Sequence, residues 1–299
     1  MSATSKKLIF FGNERLATGV TTKAPLLKGL IDAGYQIAAV VTNQRALAAS
    51  RQQRPLEIEQ LARQNQIPVV NPTNLGEAAA EIAKFQAPAA VLAAYGRIVP
   101  QAILDIFPLG IINVHPSLLP QYRGSSPIEQ AILDGAAKTG VSLMRLVAKM
   151  DAGPVFATAE LKLLGGESKQ KLFEKLDKLG AELLIEHIPA ILAGQLKPKA
   201  QSGEASYTPR LTKPDGQITW AEPAKIIERK VRAYAGWPKA RARLGQHEVI
   251  INQARVAKDR TYGALVIKAE PGWLEILELV APSGRLMSGA DYLRGYEKQ

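Results

Sequence analysis

The sequence predicts an α/β protein in which a doubly wound, mostly parallel sheet is followed by a small β-barrel. Three observations predict it. Short apolar runs alternate with segments of helical periodicity as far as Leu192, the pattern of a parallel sheet covered on both faces. From Gly194 to Gly216 the periodicity stops, and Lys197, Pro198, Lys199, Gly203, Pro209 and Pro214 crowd a linker-like stretch. Beyond it, short strand candidates recur between turn signals, as in a small barrel.

Each element follows from its residues. Leu8 to Phe11 is a buried strand stopped by Gly12. Pro25 to Ala33 is a helix, with Leu26, Leu27, Leu30 and Ile31 on one face. Ile37 to Val41 is the next strand, and Leu56, Ile58, Leu61 and Ala62 lie on a second helix. Pro68 to Val70 is a short strand and Leu75 to Phe85 a third helix. Ala89 to Ala93 and Gly110 to Val114 are further strands. Ser126-Pro127-Ile128-Glu129 is a capping box with proline at the first helical position, opening a helix through Leu133. Val141 to Val147 and Val155 to Leu163 are strands. Ser168 to Leu192 is a long helix with Leu172, Leu176, Leu179, Leu183 and Ile188 inward. Past the linker, strands are expected at Ile218–Trp220, Ala240–Leu244, Glu248–Val256, Leu265–Lys268 and Leu274–Val280, with one helix at Pro223–Tyr234.

Composition bounds the function. The chain has 299 residues, enough for two domains, and its 46% hydrophobic and 22% charged content supports a filled core. There is no cysteine, which excludes a disulfide framework, a thiolate metal cluster and a cysteine nucleophile. The only histidines are His115, His187 and His247, so no metal is expected. Met1 to Lys7 is polar, and no apolar run approaches the roughly 20 residues of a membrane span. A cytoplasmic protein without membrane contact is expected. The net charge is +11, and Gln195 to Gln299 carries 18 basic against 11 acidic residues. That excess suits an anionic partner or simply solubility.

In a doubly wound sheet the ligand sits beyond the carboxyl ends of the strands. This puts Gly12, Asn43, Tyr95 and His115 on one edge. Asn113 and His115 are two residues apart and project to the same face, and Pro116 stops the strand behind them. Asp151 lies in the turn Met150-Asp151-Ala152-Gly153-Pro154. Taken singly, Asn113 reads as a polar strand end and Asp151 as a turn aspartate capping its own backbone. Together they offer an amide donor, an imidazole and a carboxylate. Gly12 and Gly19 do not make the G-x-G-x-x-G spacing, which disfavours a dinucleotide.

Asn113-Val114-His115-Pro116-Ser117-Leu118-Leu119-Pro120, Tyr122-Arg123-Gly124, Pro127-Ile128, Thr139-Gly140-Val141-Ser142-Leu143-Met144 and Met150-Asp151-Ala152-Gly153-Pro154 follow one another in that order. The set resembles the folate-dependent formyltransferases, and the resemblance extends over nearly the whole chain. It implies a Rossmann-like catalytic domain over 1–194, a basic linker over 195–206 and an OB-like β-barrel over 207–299. The formyl donor it implies is 10-formyltetrahydrofolate. Tyr207 to Lys213, Asp215 to Trp220 and Trp237-Pro238 are similar to the C-terminal domain of the branch whose acceptor is initiator methionyl-tRNA.

The resemblance assigns catalysis to Asn113, His115 and Asp151. It assigns folate contact to Ser117, Leu118, Leu119 and Pro120, with the pterin loop at Tyr95, Gly96, Arg97, Ile98 and Val99. Expected tRNA contacts are Arg45, Arg51, Arg54, Lys197, Lys199, Arg210, Lys213, Arg241 and Arg243. A monomer is expected. The chain departs from the family in Gly12-Asn13-Glu14-Arg15-Leu16-Ala17, where a Gly-Thr-Pro-x-Phe-Ala-like turn is usual. It departs again in the Asn43 to Arg54 loop, which keeps Arg45, Arg51 and Arg54 but lacks the usual Pro and Gly. Two other readings remain: a formyltransferase for an amino sugar nucleotide, and an RNA-binding protein with an inactive formyltransferase-like domain.

Overall fold

The structure is a computed structural model that describes residues 6–13, 23–43, 56–260 and 262–296. Fourteen strands and eight α-helices occur among them. In chain order they are β1 (Lys7–Gly12), α1 (Pro25–Asp32), β2 (Gln36–Val41), α2 (Glu57–Gln64), β3 (Val69–Val70), α3 (Ala79–Ala83), β4 (Ala89–Ala93) and α4 (Gln101–Leu104). Next come β5 (Ile111–His115), β6 (Arg123–Gly124), α5 (Pro127–Asp134), β7 (Lys138–Arg145), β8 (Val155–Lys162), α6 (Lys169–Leu192) and β9 (Tyr207–Thr208). The rest are α7 (Ala224–Ala233), β10 (Ala240–Leu244), β11 (His247–Ala257), β12 (Val266–Lys268), β13 (Trp273–Val280), β14 (Leu286–Ser288) and α8 (Gly289–Tyr296). No described helix is long and apolar enough to cross a membrane.

The chain divides into two compact units. The first is Met1–Pro127, Lys138–Lys162 and Phe173–Thr208. Its seven-stranded sheet has the order β3-β2-β1-β4-β5-β7-β8. β1 to β5 run parallel, and β7 and β8 are antiparallel additions. The order reverses between β1 and β4, the switch point where doubly wound sheets leave a crevice. One face packs Ile9, Phe11, Leu92 and Ile111 against Ile82 of α3, Ile103 of α4 and Phe107. On the other face Gly180 of α6 approaches Val114 and Val141, and Gly29 of α1 meets Ile185.

The second unit is Ile128–Ala137, Leu163–Leu172 and Pro209–Gln299. Its sheet is antiparallel, ordered β10-β11-β13-β12 with β14 also on β13. α7 covers it through Ala224, Ile227 and Val231, packed with Val249, Ile251, Leu274 and Leu279. Glu129 and Lys169 of this unit form an ion pair at 3.5 Å, both side chains nearly sealed from solvent, and Lys169 Nζ also donates to the Trp237 carbonyl.

Several expectations are corrected. The helix expected from Leu75 to Phe85 shrinks to α3, because the Asn74 side chain accepts the Gly76 N–H and holds the preceding residues in turns. No strand forms at Ile218–Trp220. A single bridge joins Gln217 to Arg241, and the Trp220 indole turns to donate to the Arg243 carbonyl. β14 and α8 add a strand and a helix beyond the expected elements. The aperiodic stretch from Gly194 is not free of order: Lys199 bridges Val155, and β9 pairs in parallel with β6.

Candidate active site

β5 positions the first two groups. Its residues are buried, and its register sets Asn113 beside Leu92 of β4 and Met144 of β7. Asn113 is 6% and His115 5% exposed. Val114 between them points to the opposite face, where it lines a separate apolar crevice with Leu26, Pro116 and Phe173. Among the described residues the Asn113 side chain has no hydrogen-bond partner. Its amide is thus free to donate to a group that enters the site.

His115 is hydrogen-bonded at one nitrogen and faces a carboxylate at the other. Nε2 lies 3.0 Å from the Tyr122 carbonyl, and Nδ1 lies 3.8 Å from Asp151 Oδ2. A carbonyl only accepts, so Nε2 carries a proton. A second proton on the ring therefore goes to Nδ1, facing the Asp151 carboxylate.

Asp151 sits at φ +44 in the turn that follows β7. Its Oδ2 accepts the Gly124 N–H at 2.8 Å. Gly124 itself has φ +106, and a Cβ there would lie 2.4 Å from the Thr208 carbonyl oxygen. Glycine is required by both the backbone and the space. The β6–β9 pairing thus delivers the N–H that fixes the carboxylate. Gly153 is constrained by space alone, since a Cβ would lie 1.8 Å from the Arg145 carbonyl oxygen.

The segment after β5 is folded back on itself. Ser117 N–H donates to the His115 carbonyl and Ser117 Oγ to the Gln121 carbonyl. Ser142 of β7 donates its hydroxyl to the Ser117 carbonyl and accepts the Leu119 N–H. The Leu119–Pro120 peptide is cis. Leu118, Leu119 and Pro120 stay half-buried, and Ser117 is sealed.

The loop after β4 closes the edge. Ala94 and Gly96 have positive φ. Tyr95 is buried edge-on to Phe11, and its carbonyl accepts the Asn43 amide. Tyr95 Oη and Asn43 Oδ1 are buried without a partner. Burial pushes the Tyr95 phenol up to about 12, opposed by the Arg97 charge. Arg97 reaches the Thr73 carbonyl, Ile98 is exposed and Val99 is buried.

Of the expected basic contacts, Lys197, Lys199, Arg210, Lys213 and Arg243 are exposed. Arg241 turns inward, donating to the Pro238 carbonyl and lying 3.9 Å from Glu248. Arg45, Arg51 and Arg54 lie outside the described residues. Among the described residues no cluster of three or more His, Asp or Glu side chains is placed to hold a metal. Three groups bear on the site without having been singled out: Ser142, the buried Arg123 and Gln201. Arg123 and Ser142 both lie inside the motifs of the resemblance. Gln201 stood in an aperiodic stretch that gives a glutamine no signal.

The chain matches the family model "Formyl transferase" over residues 6–188 and "Formyl transferase, C-terminal domain" over 210–297. A methionyl-tRNA formyltransferase of Roseiflexus sp. (strain RS-1) is 36% identical, over 97% of this chain and 92% of its own length. That of Roseiflexus castenholzii is 37% identical, over 97% and 96%. Among solved structures, HypX of Aquifex aeolicus with tetrahydrofolic acid aligns at TM-score 0.69 and 18% identity, over 97% of this chain and 47% of HypX. An N-formyltransferase of Helicobacter canadensis with folinic acid and dTDP-3-aminofucose aligns at 0.66 and 19%, over 91% and 98%. A methionyl-tRNA formyltransferase of Clostridium thermocellum aligns at 0.57 and 17%, over 95% and 99%. At these identities the solved structures speak to the fold alone.

Proposed function

The chain belongs to the methionyl-tRNA formyltransferase family, and from that premise we propose how it moves the formyl group of 10-formyltetrahydrofolate onto the α-amine of methionine on initiator tRNA. The observation that carries the proposal is the Asn113, His115 and Asp151 constellation at the switch-point edge, with the Asn113 amide unbonded beside a His–Asp pair.

An α-amine has a pKa of about 8, so enough is neutral near pH 7 to attack. Its lone pair adds to the formyl carbon, and the C=O electrons move onto oxygen. Asn113 Nδ2–H donates to that oxyanion. His115 adds its Nε2–H, which in the free chain goes to the Tyr122 carbonyl. Preorganised donors of this kind are usually the largest single factor in acyl transfer. The former amine nitrogen then loses a proton, which the Asp151–His115 pair takes directly or through water. The C–N10 bond breaks, N10 gains a proton, and the products are the formamide and tetrahydrofolate.

The donor would lie along Ser117 to Pro120, with its pterin at the Tyr95 to Val99 loop. The unpaired Tyr95 Oη and Asn43 Oδ1 support a polar ligand there. Residues 1–194 would carry catalysis, and 207–299 would hold the tRNA after the linker 195–206. Exposed Lys197, Lys199, Arg210, Lys213 and Arg243 suit phosphate contact. Arg241 has the smaller task of holding the turn at Pro238. We place the enzyme in the cytoplasm, as a monomer.

Asn113→Ala tests the site. Turnover should fall by roughly 100- to 1,000-fold, the loss typical of an oxyanion donor, while folate affinity stays nearly unchanged. Turnover near the wild-type rate would remove Asn113 from the mechanism.

A further inference from the structure

Asp151 bears its carboxylate from a backbone at φ +44, a left-handed conformation uncommon for non-glycine residues although aspartate is among those that tolerate it. The Gly124 N–H holds the side chain, and a separate device holds the main chain. Gln201 Nε2 donates to the Asp151 carbonyl and to the Gly153 carbonyl, each at 2.8 Å. These two bonds bracket the turn. The other end of the amide is also occupied. Arg123 Nε and Nη2 both donate to Gln201 Oε1, at 3.1 and 2.6 Å. The guanidinium only donates and the two carbonyls only accept, so the amide has one orientation. Arg123 is itself fixed: it is 9% exposed, Nη1 donates to Tyr207 Oη at 2.9 Å, and its backbone N–H donates to the Ser206 carbonyl.

We infer that Gln201 is a positioning residue for the reaction, setting the turn that aims the Asp151 carboxylate at His115 and at the Gly124 N–H. The inference rests on the function proposed above. It assigns a task to a segment that the sequence presents as a linker. Gln201 touches neither the formyl group nor the amine, and acts only through Asp151. The same arginine that orients Gln201 belongs to β6, so one network fixes both the carboxylate and the N–H that it accepts.

The test is a double-mutant cycle on the full chain, with methionine-charged initiator tRNA and 10-formyltetrahydrofolate as substrates. Gln201→Ala should lower kcat about 10- to 100-fold, the scale of a misplaced catalytic group, with KM for both substrates within about twofold. In an Asp151→Ala background, single-turnover rates should change by less than about twofold when Gln201→Ala is added. Groups that act as one unit are non-additive in this way. Gln201→Glu keeps an acceptor for Arg123 but has no proton for the two carbonyls. It should lose as much kcat as the alanine variant while its melting temperature stays closer to wild type. Unchanged kcat in Gln201→Ala, or penalties that multiply in full with those of Asp151→Ala, would overturn the inference and leave the proposed function standing. Wild-type turnover in Asp151→Ala would overturn both.

Discussion

Replacing Asp151 by asparagine removes one charge and little else. The Asn oxygen can still accept the Gly124 N–H now taken at 2.8 Å, and the Gln201 bonds reach only the backbone. The turn should therefore hold, with the melting temperature within about 4 °C of wild type. The carboxylate lies 3.8 Å from Nδ1 of His115, the nitrogen that any second ring proton must occupy. Two unit charges at that distance attract by about 4 kcal/mol at an effective dielectric of about 20. The Asp151 side chain is 15% exposed, so screening trims this toward about 2 to 4 kcal/mol. If the imidazolium forms on the way to the transition state, that loss is roughly a 30- to 1,000-fold drop in kcat. Steady-state formylation with both substrates saturating measures it, alongside KM for each. A kcat within about threefold of wild type, in a folded variant, would refute the role of the charge.

Three further perturbations test the surrounding structure. Gly124→Ala puts a Cβ 2.4 Å from the Thr208 oxygen at φ +106, so turnover should fall at least about 100-fold by displacing the N–H that Asp151 accepts. A normal rate would mean the β6–β9 pairing does not matter to the site. Tyr95 has its phenol raised to about 12 by burial. Its contribution to stability is intact below the unfolded value of about 10 and is lost as the pH rises toward 12. Tyr95→Phe should flatten that alkaline fall and, with the hydroxyl unpartnered, cost less than about 1 kcal/mol at pH 7; denaturant titrations across pH would expose a steeper fall or a larger loss. In the second unit, Glu129→Gln should cost about 3 to 5 kcal/mol by leaving buried Lys169 without its counter-charge. Lys169→Met added to it should recover most of that in thermal melts, and further loss would mean the pair does not act as a unit.

Much of the first unit was legible because its signals are local. Apolar runs of four or five residues mark β1, β2 and β4, a shorter one opens β5, and the i, i+2 rule alone puts Asn113 and His115 on one face. The Asp151 turn announces itself through Gly153 and Pro154. What stayed hidden depends on partners far along the chain. The Gly124 N–H, the Ser142 hydroxyl and the Gln201 amide matter through residues 27, 25 and 50 positions away. No periodicity encodes such pairings. The stretch after Gly194 is the clearest case: its prolines and glycines correctly deny it helix or long strand. They say nothing about Lys199 and Tyr207 pairing with distant backbone. Arg241 teaches the converse, because a basic residue on an alternating strand reads as surface until a neighbouring carbonyl claims it.

The acceptor is the central claim, and one assay addresses it directly. The protein is mixed with 10-formyltetrahydrofolate and methionine-charged initiator tRNA, the ester is hydrolysed under mild conditions, and formylmethionine is quantified. Rapid formylmethionine formation, abolished by Asn113→Ala, is the predicted result. No formylmethionine, with formylation of an amino sugar nucleotide in a parallel reaction, would contradict the account.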